Sequence, residues 1–261
     1  MGYISSTSAE TRLATPSVRH IGVADVRAAL AAGWADFLAI PTQLVFLCVL
    51  YPIVGLVAAR AAVGTDLMPL LFPLVAGIAL LGPVLAVGVY ELSRRREAGK
   101  PVSWLNAFDV LRSPAIFPIA AMGVFLLVIF SAWVGTARLI YAATLGDSPA
   151  SAGAFVNSVL STGAGWEMMI IGNLVGAAFA VVVLMLTVVS VPMMLDRNVS
   201  PIEAVQTSLR AVMLNPGPMA LWGVIVGATL LAGSIPLFIG LAIAMPVLGH
   251  ATWHLYRRLV A

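Results

Sequence analysis

From Ala211 to Tyr256 the chain runs for 46 residues without an Asp, Glu, Lys or Arg. One membrane crossing needs about 20 apolar residues, each rising about 1.5 Å. The run therefore holds two crossings and must fold back on itself, most naturally at Gly233-Ser234-Ile235-Pro236. Arg257 and Arg258 return it to water. An uncharged helical hairpin closed by basic residues is a membrane element. The whole chain follows suit, with 61% hydrophobic and only 10% charged residues, where soluble domains carry roughly a quarter charged. A net charge of +3 is too small to read as a nucleic-acid footprint, and the single cysteine, Cys48, excludes an intramolecular disulfide.

The pattern predicts an all-α membrane protein with six spans, at about 37–59, 67–90, 115–137, 168–195, 217–234 and 236–256. Residues 1–20 read as a disordered tail, and 21–261 as a single transmembrane domain. The spans pair into three hairpins, each preceded by an amphipathic surface helix. Val26, Leu30, Trp34 and Phe37 form the apolar face of the first. Trp104, Phe108 and Leu111 serve the second, and Ile202, Val205, Leu209 and Val212 the third. Ser200-Pro201-Ile202-Glu203 has the form of a capping box with proline at N1. Ser148-Pro149 reads as the cap of a short helix running through Leu160. Pro83, Pro192 and Pro246 recur before the cytoplasmic end of each second span, and a kink is expected at such positions.

Six spans put both ends of the chain on one side. Of 14 Lys and Arg residues, all but Arg60 and Arg138 fall on that side. The positive-inside rule makes it the cytoplasm. Trp34, Tyr90, Trp104, Trp253 and Tyr256 would form an inner aromatic belt, with Trp133, Tyr141 and Trp166 as the outer one.

His250 and His254 are the only pair at ligand spacing. At i and i+4 on a helix they share a face and can reach one metal or two separate partners. Ala251 stands where a zinc protease needs its glutamate, which excludes that chemistry. Haem or copper ligation, with Met193 or Met194 from a second helix, stays open beside a plain interfacial role. Glu91 precedes Arg94, Arg95 and Arg96; with Arg210 they form a candidate cytoplasmic ion-pair or lipid-head-group cluster. Glu91 pairs with Arg210 or Arg257, or else is solvated. Asp36 and Asp109, before spans one and three, read as solvated or as acting on helix ends. No ionisable residue lies mid-span, which argues against ion-coupled transport. Asn173 reads as an interhelical hydrogen-bonding residue. No phosphate-binding glycine loop and no G-x-S-x-G elbow occurs, so no enzymatic chemistry is read.

Several segments together resemble one family: Ala32 to Asp36, Gly82 to Arg95, Ser200 to Ala204 with Ser208 to Ala211, and Pro246 to Arg257 with its G-H-A-T-W-H ending. The resemblance is to the bacterial integral-membrane family catalogued as domain of unknown function 2189, over roughly 23–260. It implies a six-span inner-membrane protein and brings no catalytic residues and no cofactor. The leading expectation is a non-enzymatic scaffold or assembly component binding the lipid bilayer and other membrane proteins. The alternatives are a haem- or metal-binding component using His250 and His254, or a passive conduit for a small solute.

Overall fold

The computed structural model describes residues 16–40, 69–146, 151–235 and 239–261. Among them the architecture is helical, with one isolated antiparallel bridge between Val18 and Val260. In order come α1 (Val23–Ala39), α2 (Leu71–Glu97), a 3-10 segment (Trp104–Arg112), α3 (Ile116–Thr144), α4 (Ala152–Ser161), α5 (Gly163–Arg197), α6 (Pro201–Leu214), α7 (Pro216–Ser234) and α8 (Leu241–Leu259). Four of these, α2, α3, α5 and α7, are long and apolar enough to cross a membrane. Most of the expected 37–59 span, with Cys48, lies outside the described residues. α8, expected as the last span, packs deep in the bundle. Met245, Leu248, His250, Trp253, Leu255 and Tyr256 on it are all buried.

Prolines set the breaks in the long helices. A proline in a helix lacks an N–H and clashes with the carbonyl four residues earlier. In α2 the chain tightens to 3-10 at Ala79–Leu81, four residues before Pro83. In α5 the regular helix stops at Thr187 and resumes at Ser190, just before Pro192. Ser208 of α6 repairs the second break. Its hydroxyl accepts from Val189 N (3.2 Å) and donates to the Met185 carbonyl (2.8 Å). That is one hydroxyl inserted into a single i→i−4 backbone bond.

The shorter helices pack inward through small residues. On α1 the buried residues are Val26, Ala29, Gly33 and Asp36, while Trp34 and Leu38 are exposed. On α6 they are Ala204, Thr207, Ser208 and Ala211, while Ile202 is 72% exposed. In lipid, large apolar side chains gain nothing by turning inward, whereas small ones let backbones approach. The segment after Ser103 is a 3-10 helix, whose side chains eclipse every third residue. Its exposed apolar ridge is therefore Leu105, Phe108 and Leu111, with Ala107 and Val110 buried opposite. Trp104 leaves the face that α-helical spacing gave it. α6 starts as the sequence predicts, with Ser200 Oγ accepting from Glu203 N (3.3 Å). α4 is capped by Ser151 instead of Ser148, its hydroxyl accepting from Ala154 N (3.2 Å).

The end of the expected tail is ordered against the C-terminus. Arg19 N donates to Leu259 O (2.8 Å), and Ala261 N to Ser17 O (3.0 Å). Buried Asn215, between α6 and α7, accepts from Ile21 N (2.8 Å) and donates to Arg19 O (3.0 Å). From there α1 runs antiparallel to α8, as Asp25 meets Arg258 and Gly33 meets Ala251.

Candidate functional site

Where α1, α2 and α8 meet at the polar end of the bundle, one carboxylate gathers the chemistry. Asp36 Oδ2 accepts from Ser93 Oγ (2.6 Å) and from His254 Nε2 (2.8 Å). Its Oδ1 is paired with the Arg96 guanidinium. His250 Nδ1 lies 2.7 Å from Ser93 Oγ and 3.8 Å from Asp36 Oδ2. An ionised carboxylate only accepts, so the Ser93 proton points to Asp36 and His250 must carry its proton on Nδ1 to donate to Ser93. His254, donating directly, carries its proton on Nε2. The two imidazoles hold opposite tautomers around one acid.

Helical geometry explains the convergence. His250 and His254 are one turn apart on α8, and Ser93 and Arg96 are one turn apart on α2. Each pair brackets Asp36, which sits in the last turn of α1 beside the Gly33 crossing. Burial pushes the Asp36 carboxyl up, but hydrogen bonds from His254 and Ser93 and the charge of the imidazoles outweigh it. The net effect holds the group below the usual carboxylate range.

Ion pairs surround this node. Glu91 is buried, yet its partner is Arg94 (2.7 Å) on its own helix, not Arg210 or Arg257. Arg95 reaches Asp109 (3.0 Å), so Asp109 pairs across elements and is not simply solvated. Glu97 accepts from Trp253 Nε1 (2.9 Å) and Arg257 (2.9 Å). Asp196 accepts from the Tyr256 hydroxyl (2.7 Å) and lies 3.3 Å from Arg257. Arg210 is apart from all of this: it is exposed and contacts only Thr207 and Gln206 of its own helix. The arginines 94 to 96 thus face carboxylates of the protein, which removes them as a free head-group cluster.

Several residues matter that pattern reading missed. Asp36 is buried, although its place before a span suggested solvent. Ser93 carried no signal beyond lying one turn after Tyr90. Glu97 and Asp196 bond Trp253 and Tyr256, drawing both rings into the core together with Tyr90. The inner aromatic belt therefore loses those three. Trp133 also turns inward, donating to Pro73 O (2.8 Å), while Trp166 stays exposed. Asn173 does not join helices; it bonds back to Met169 O (2.7 Å) on its own.

The node is a poor cradle for a metal. Among the described residues no group of three or more His, Cys, Asp or Glu is placed to hold one. The ring nitrogens nearest the shared carboxylate already meet Ser93 and Asp36, and Arg96 brings a fixed cation to the same acid. Met193 and Met194 are buried in the core cluster.

Residues 71–196 match the profile of a family described as a predicted integral membrane protein, DUF2189. No curated protein and no solved structure shows a significant match to the chain.

Proposed function

We propose that this integral membrane protein, whose residues 71–196 match DUF2189, is a six-span, non-enzymatic scaffold of a bacterial inner membrane. The observation that carries the reading is the way its titratable groups are used. At the polar end they pair with one another and fasten α1, α2, α5 and α8 together. The serine there is fully buried between Asp36 and His250, out of reach of a substrate. A lock of this kind holds a shape; it does not turn over a substrate.

Three features support the arrangement. The bridge between Val18 and Val260 joins the two ends of the chain, which an even number of spans requires. Arg19, Arg27, Lys100, Arg112 and Arg210 are exposed at the end assigned to the cytoplasm. They have no ion-pair partner among the described residues, and they favour the anionic inner leaflet. Beside Arg112, the ridge Leu105–Phe108–Leu111 faces outward, with Trp104 edge-on to Phe108. It is the surface on which a membrane partner would seat, and 21–261 act as one domain behind it.

A photo-crosslinking residue at Phe108 or Leu111, activated in intact membranes, tests this. The scaffold predicts one discrete protein adduct, weakened when Arg96→Gln loosens the lock. Adducts to lipid alone would remove the protein-partner reading. Stoichiometric haem or copper, lost in a His250→Ala/His254→Ala variant, would install the cofactor reading instead. Solute flux through liposomes holding the pure protein would install the conduit.

A further inference from the structure

A cavity of about 880 Å³ lies between α2, α5, α7 and α8. It follows α2 from Phe72 to Tyr90, about 27 Å at helical rise. Its walls are narrow because the side chains are small. Gly82, Gly172 and Gly227 line it, and a Cβ added to any of them would meet nothing within 4 Å. Gly172 with Gly176, and Gly223 with Gly227, are G-x-x-x-G pairs, the pattern that ordinarily brings helices into contact. Here Gly172 and Gly227 face a space, while a Cβ on Gly176 would meet Trp133 at 3.0 Å and one on Gly223 would meet Leu184 at 3.2 Å.

The occupant is limited by size and by where polarity falls. Small-ligand sites run to about 1,000 Å³. The lining is mostly apolar, with Asn173 partway along, and gains hydroxyls toward one end, from Tyr90, Thr187 and Thr252. That end is closed by Val212 and Pro216, at the α6–α7 corner that Asn215 ties to Arg19. Arg19, whose carbonyl Asn215 holds, and Arg210, on α6 before the corner, are both exposed and have no ion-pair partner among the described residues. A long apolar slot with cations at its polar end is complementary to an amphiphile of the opposite charge.

We propose that this cavity holds an acyl chain of a bilayer lipid whose anionic head group sits at Arg19 and Arg210. The site is separate from the Asp36 node and does not rest on the scaffold reading. It would make one lipid a structural component of the bundle, filling a gap that the glycines leave.

The test uses the full chain in mild detergent, stripped of lipid and titrated with dioleoyl phosphatidylglycerol or dioleoyl phosphatidylcholine under native mass spectrometry. We expect one phosphatidylglycerol retained at least tenfold more tightly than phosphatidylcholine. Gly172→Leu and Gly227→Leu, whose side chains enter the open space, should each cut that binding at least tenfold. Arg210→Gln should erase the preference for the anionic lipid. Binding unchanged in folded glycine variants, equal retention of the two lipids, or dimerisation with no lipid retained would each overturn the proposal. Should a glycine variant not fold, the wild type still decides. Phosphatidylglycerol with brominated chains should quench Trp222, which lines the cavity, at one lipid per protein; quenching only at bulk lipid ratios would overturn it.

Discussion

A Cβ placed on Gly33 would fall 2.5 Å from the backbone nitrogen of Ala251, so α1 and α8 meet with no room for a side chain. This crossing holds Asp36, one turn on, within reach of both histidines of α8. Close approach at a glycine and the polar node thus depend on each other.

Substituting Gly33→Val should undock α1. The obstacle is backbone on a buried helix, so the cost should reach at least about 3 kcal/mol, the upper end of ordinary overpacking. Thermal unfolding in detergent measures it. Gly172→Ala, whose Cβ meets nothing, should leave the transition within about 0.5 kcal/mol.

Ser208→Ala should expose the break in α5. Either Val189 N and Met185 O are left without their bridging hydroxyl, or the helix closes on itself and shifts α6. The first outcome is expected, at about 1–3 kcal/mol for buried unsatisfied groups. Amide hydrogen exchange at Val189 should accelerate while exchange near Leu174 stays unchanged.

Ser93 and His250 should be energetically coupled. A double-mutant cycle with Ser93→Ala and His250→Ala should give an interaction energy of about 0.5–3 kcal/mol, since one hydrogen-bond chain joins them. Additive losses would show that His250 is held by packing alone.

Stability should fall in acid through Asp36. Its folded carboxyl titrates below its unfolded value near 3.9. The contribution is therefore fully present above about pH 4 and disappears as pH drops through the lower folded value. Melting temperatures between pH 7 and pH 3 should fall less steeply below pH 4 for Asp36→Asn than for the wild type.

Sequence alone determined the kind of object this is. Hydropathy is a property of each stretch by itself, so the long apolar helices, the fold-back after Gly233 and the Ser200 cap were legible without neighbours. The resemblance to DUF2189 was carried in the same way by local motifs, and residues 71–196 match it. Only the tertiary structure decided which side of each helix packs. Periodicity marked the large apolar face of each surface helix, α1 and α6. It carried no sign that Ala29, Gly33, Ala204 and Ala211 would pack inward while Trp34 and Ile202 turn out, since only small residues let backbones approach. The node was hidden for a second reason. Asp36 and His254 are 218 positions apart, and no local pattern links a carboxylate to groups that reach it only after the helices have closed around it.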